Sequence, residues 1–178
     1  MKADHSQYLA VLKALRDIPG IKKVFIRSGI RFDYIIHDKK HGKEFLETLC
    51  RHHVSGQLKT APEHVCANVL EAMGKCPHSY YEQFRKDYTK INNQLGKKQY
   101  LLPYFITSHP GAGMKEAQAL AGYFKKTGFT PEQIQDFYPT PGTMSTVMYH
   151  TGLDPRTMQP IYTAKGDKER RKQRAKGK

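Results

Sequence analysis

The sequence predicts an α/β fold, a partial (β/α) barrel of about four parallel strands with covering helices. Two observations carry this. Short β-rich runs alternate with segments of helical apolar spacing, and polar residues close each run. The clearest unit is 100–106, an aromatic and β-branched run that reads as a buried central strand. It ends in Thr107, Ser108 and His109, turns at Pro110-Gly111, and continues into a helix marked by Met114, Ala117, Leu120, Ala121 and Phe124. In such folds ligands gather at the carboxyl ends of strands.

The other elements follow in order. Asp4 or Ser6 caps a first helix whose face is Tyr8, Leu9, Leu12, Leu15 and Ile18, and Pro19-Gly20 stops it. A first strand is expected at 23–29, exposing Arg27, Ser28 and Arg31 at its end before a polar segment at 38–43. Phe45, Leu46, Leu49, Cys50 and His53 mark the second helix, closed near Gly56. The second strand, 56–61, runs into Pro62, Glu63 and His64. A short helix (Val65, Val69, Leu70, Met73) and a longer one (Tyr80, Tyr81, Phe84, Tyr88, Ile91, Leu95) follow, with Gly96 as the C-cap. After the central unit, Gly128 stops its helix, and Thr130-Pro131-Glu132-Gln133 carries a helix-start signature. A fourth strand is expected at 134–138, and a short helix at 145–149.

Composition narrows the class. The chain has 178 residues, enough for one domain with a core. No stretch approaches the roughly 18 apolar residues of a membrane span, and the N-terminus has no signal-peptide core, so a cytoplasmic protein is expected. Cys50, Cys66 and Cys76 form no disulfide framework and no closed zinc or iron–sulfur pattern. The net charge is +14, of which 165–178 carries eight Lys/Arg and two Asp/Glu, or +6, leaving +8 on the body. Residues 163–178 read as a basic, disordered tail, and the whole charge favours non-specific attraction of RNA or other anions.

Several motifs invite sharper readings. His52-His53 cannot chelate together, because neighbours on a helix point to different faces, so His52, His53, His64 and His109 read as capping or core groups and no metal site is assigned. Gly111-Ala112-Gly113 precedes a helix but lacks the rest of a nucleotide fingerprint. Tyr80, Tyr81 and Tyr88, interleaved with basic residues, could stack RNA bases, although helical spacing favours the core. Four strands do not close an eight-stranded barrel, so the chain reads as half of one.

Residues 22–34 (KKVFIRSGIRFDY), 52–64 (HHVSGQLKTAPEH), 108–111 (SHPG), 135–143 (QDFYPTPGT) and 151–156 (TGLDPR) together closely resemble the YgiQ family of radical SAM proteins, in order, over about residues 4–162. The resemblance implies a partial (β/α) barrel holding a [4Fe-4S] cluster and S-adenosylmethionine, which is cleaved reductively to a 5′-deoxyadenosyl radical. The reaction is unassigned and no catalytic residue is named. It also implies that residues 1–162 are the second half of the barrel, that the cluster-binding CxxxCxxC loop belongs to the first half, and that this chain alone is inactive. The missing half, in cis or in trans, is the partner implied.

The resemblance further points to cofactor contacts. A GxIxGxxE-like adenine pattern falls at Tyr104, Ile106, Ser108 and Gly111, of which Ile106 alone matches, with His109 and Pro110 in the same turn. Lys59, Glu63 and His64 are expected at the ribose and methionine groups, and Phe137 and Tyr138 beside adenine. Glu63 could accept ribose hydroxyls or the ammonium, while Arg27 or Lys59 could face the methionine carboxylate, with Ser28 at the same strand end. The alternatives are a basic RNA-binding module and a partner subunit that completes a split barrel.

Overall fold

A computed structural model describes residues 2–129 and 134–176. It is an α/β structure with a three-stranded parallel sheet, order β1-β2-β3, and covering helices. The strands are β1 (Gln57–Glu63), β2 (Tyr100–Thr107) and β3 (Ile134–Asp136). The expected helix start at 130–133 lies outside the described residues.

Two compact units divide the chain: 1–61 with 79–103, and 62–78 with 104–178. In the first, α1 (Ser6–Arg16) begins where the Asp4 carboxylate accepts the Ser6 N–H at 2.8 Å. It buries Leu12, while Tyr8, Val11 and Leu15 stay exposed. A helix that was not expected, α2 (Phe32–His37), precedes the polar segment, and the expected second helix resolves into α3 (Gly42–Thr48) and a π-helical turn at Leu49–His53. Asp38 ties them together, accepting the N–H groups of Lys40, His41 and His5. Phe45, Leu46, Leu49, Leu58, Phe84 and Tyr88 form the core beneath, the last two from α5 (His78–Gln94). Tyr81 and Tyr88 are buried and Tyr80 packs on His37, so the tyrosines proposed as an RNA platform belong to packing.

The strand expected at 23–29 does not form. Its backbone turns to the π-helical turn instead: the Ile26 N–H donates to the His53 carbonyl (2.9 Å), and the Val24 carbonyl accepts from His53 Nδ1 (2.8 Å). Groups held this way are withdrawn from a ladder, and the chain meets β1 just past the segment, through an isolated parallel bridge between Ile30 and Thr60. Three strands therefore replace four among the described residues.

In the second unit, α4 (Ala67–Ala72) follows β1, and α6 (Met114–Thr127) covers β2. Phe105, Leu120, Phe124 and Ile134 make one cluster, and Phe105 meets Phe124 edge-on at 4.9 Å. β2 and β3 pair in parallel, Phe105 opposite Ile134 and Thr107 opposite Asp136. α7 (Met144–Thr151) is capped by Thr143, whose hydroxyl accepts the Thr146 N–H. The run read as a disordered tail is instead α8 (Asp167–Lys176), fully burying Gln173. Polar anchoring orders it where apolar periodicity is absent.

Candidate functional site

The carboxyl ends of β1 and β2 share an unusual backbone. Glu63 has φ 61° and Ser108 φ 60°, the left-handed region that a side chain raises in energy by about 1–2 kcal/mol. Glu63 turns the chain out of β1 immediately before the buried His64, and Ser108 does the same before His109. Such conformations persist where the surrounding structure enforces them, and they concentrate at binding sites.

Around β1 in the second unit, Glu63 pairs with Lys75 at 3.0 Å, so its cation is Lys75. His64 Nδ1 accepts the Cys66 N–H at 3.0 Å, leaving the ring proton on Nε2. Burial pushes His64 down to about 4, against the pull of Glu116. It is thus neutral at pH 7 and fixed in orientation.

At the end of β2, Ile106 is half-buried opposite Gln135, and the neighbouring Tyr104 hydroxyl donates to Gln135 Oε1 at 2.5 Å. Thr107 Oγ1 donates to Asp136 at 2.9 Å. Ser108 is buried; its N–H donates to Gln173 Oε1 at 3.1 Å, and its hydroxyl has no hydrogen-bond partner among the described residues. His109 donates from Nδ1 to the Pro110 carbonyl and accepts the Ser145 hydroxyl at Nε2, both at 2.8 Å. Burial lowers its pKa, which suits that neutral form. Gly111 needs its positive φ of 87° to close the turn, and its N–H reaches the Tyr162 carbonyl.

Phe137 is buried edge-on against His109 (4.9 Å) and also meets Tyr149, whereas Tyr138 is 81% exposed. Arg27, Ser28 and Lys59 are exposed in the first unit, with no ion pair among the described residues; Glu63, His64, Ile106, Ser108, His109, Pro110, Gly111, Phe137 and Tyr138 lie in the second. The Gly113 N–H at the start of α6, in the glycine-rich turn before the helix, is occupied by the Glu116 carboxylate at 2.9 Å.

Sequence reasoning missed α8. Gln173 donates to the Ala112 carbonyl at 2.9 Å while accepting from Ser108, Arg174 pairs with Asp136 at 2.9 Å, and Arg170 donates to the Phe137 carbonyl at 2.6 Å. No apolar stripe announces this helix; the lone signal is one Gln among charged residues. Among the described residues no group of three or more His, Cys, Asp or Glu is placed to hold a metal, and no helix is long and apolar enough to cross a membrane.

Comparison with known proteins agrees with the motifs. A UPF0313 protein of Clostridium botulinum (strain Loch Maree) is 55% identical over 172 residues, 97% of this chain and 26% of the relative. One from Clostridium perfringens (strain 13) is 52% identical over 175 residues, again 26% of its length. These close relatives are UPF0313 proteins, the YgiQ family. The chain thus spans about a quarter of the curated relatives it matches. A family described as a domain of unknown function, DUF3362, matches residues 132–176, the stretch containing β3, α7 and α8. No solved structure matches the chain.

Proposed function

We propose that this chain is one part of a radical SAM enzyme, an open segment of a (β/α) barrel that contributes strand ends to an S-adenosylmethionine site. The observation that carries the reading is the pair of left-handed, non-glycine residues, Glu63 and Ser108, at the carboxyl ends of two parallel strands. The YgiQ-family motifs and the UPF0313 relatives support it.

The residues fit the nucleoside part of that cofactor. The unpartnered Ser108 hydroxyl can donate to it, the Glu63 carboxylate can accept ribose hydroxyls or the ammonium, and the exposed Tyr138 ring offers a face for adenine. His64 and His109, each held by hydrogen bonds, keep these strand ends in shape. They do not fit the cluster: with no three-thiolate group among the described residues, this chain's part is to bind and orient, and its ligands come from elsewhere in the longer protein. With a cluster, the bound cofactor supplies radical chemistry.

Anaerobic reconstitution tests the division. This chain should take up no stable [4Fe-4S] cluster, while the full-length Clostridium botulinum relative should take one up and release 5′-deoxyadenosine from S-adenosylmethionine under reduction. A stable cluster on the chain alone, or no 5′-deoxyadenosine from the full-length protein, would refute the reading.

A further inference from the structure

A second feature lies wholly within the first unit and is independent of the strand-end site. A cleft of about 380 Å³ is lined by Arg16, Lys22, Lys23, Arg51, His52 and Lys97, with Ile21 and Phe25 at its apolar side. Among the described residues no carboxylate lines it.

The charges come from every element around the cleft, and they are not equally available. Arg51, at the π-helical turn, pairs with Glu47 at 2.7 Å. Lys97 donates to the carbonyls of Cys50 (3.1 Å) and Arg51, neutralising the carbonyl end of that turn. Arg16, from α1, gives one N–H to His53 Nε2 at 3.0 Å and has four more donors. Lys22 and Lys23 have no ion pair among the described residues; Lys23 lies 5.9 Å from the Phe25 ring centre. Like charges gathered in a walled cleft repel each other and focus a positive field, a cost that an anion relieves. His52 registers this field: burial first, then Arg16, His53, Arg51 and Lys97, lower its pKa.

The geometry of the cleft points to one class of ligand. We infer that it binds nucleotide phosphate, free or within an RNA strand, with Lys22, Lys23 and Arg16 on the phosphate oxygens and the ring of Phe25 under a base. Phe25 is 41% exposed, so a face is open for stacking. Lys23 and Phe25 belong to the segment 23–29 that bonds to His53 instead of forming a strand, and that diversion sets them, with the adjoining Lys22, at the cleft. The π-helical turn beside it is a rare conformation that recurs at functional sites.

Fluorescence anisotropy of the full chain with a labelled single-stranded RNA of about twelve nucleotides, competed with ADP and with inorganic phosphate, tests the inference. The double variant Lys22→Glu, Lys23→Glu should lose at least about tenfold in affinity, and Lys22→Gln, Lys23→Gln should lower the salt slope of log K by about 1.4. A charge-matched control, Lys168→Glu with Lys172→Glu on the exposed side of α8, should lose less than about threefold. Displacement of RNA by ADP marks a free nucleotide as the ligand, and RNA binding that resists ADP marks the polynucleotide; both support the site. Equal losses in cleft and α8 variants, or no binding of RNA, ADP or phosphate, would overturn it.

Discussion

His64 illustrates how one residue couples burial to stability. Its folded pKa of about 4 lies below the ordinary value near 6.5, so between those values the unfolded chain binds a proton that the folded chain refuses. Stability is fully present above about pH 6.5 and falls as the pH drops toward 4, by roughly 3 kcal/mol in total. Urea unfolding at pH 7.5 and 4.5 should show this loss, and His64→Asn, whose amide oxygen can still accept the Cys66 N–H, should flatten it. A second residue-scale device is Gly42, where an added Cβ would stand 2.1 Å from the Ile35 carbonyl oxygen. Because that obstacle is backbone, Gly42→Ala should cost at least about 2 kcal/mol, read as a lower melting temperature.

At the scale of elements, α8 and the segment at 23–29 depart furthest from what periodicity foretells. α8 is held by polar anchors, and Gln173 is the central one, satisfying the Ser108 N–H and the Ala112 carbonyl together. Gln173→Leu keeps the volume and removes both partners, so it should destabilise the second unit by on the order of 2–4 kcal/mol in denaturant unfolding. An unchanged midpoint would show that α8 contributes nothing to that unit. By contrast, most of α6 was legible: Met114, Ala117, Leu120 and Phe124 give the apolar stripe and Gly128 closes it in the left-handed conformation, whereas the Glu116 carboxylate on the Gly113 N–H was not foreseen. β1 and β2 were legible as well, from their β-rich runs and polar ends. β2 is half-buried rather than a buried strand, with Tyr100 exposed at its start.

For the molecule as a whole, charge and length have the widest consequences. The net +14 read as a basic body with a basic tail. The tail is a helix that uses Arg170 and Arg174 internally, while a cluster of body cations gathers in the cleft of the first unit. The relatives are about four times as long, and under the proposed reading the strand ends of the second unit would meet the cofactor within such a longer chain; the reconstitution experiment is the check at this scale.

The amino-acid sequence alone determined the α/β class, the order of most helices, the two longer strands and the family that the motifs resemble, because local spacing and turn chemistry act over a few residues. It also marked Glu63, His64, Ser108 and His109 as groups at strand ends. Only the tertiary structure decided that 23–29 bonds to His53 instead of joining the sheet, that Glu63 takes Lys75 as its cation, and that Gln173 reaches Ser108 across 65 positions. These are individual hydrogen bonds and one ion pair between residues apart in sequence. They carry no period, and so no stretch of sequence announces them.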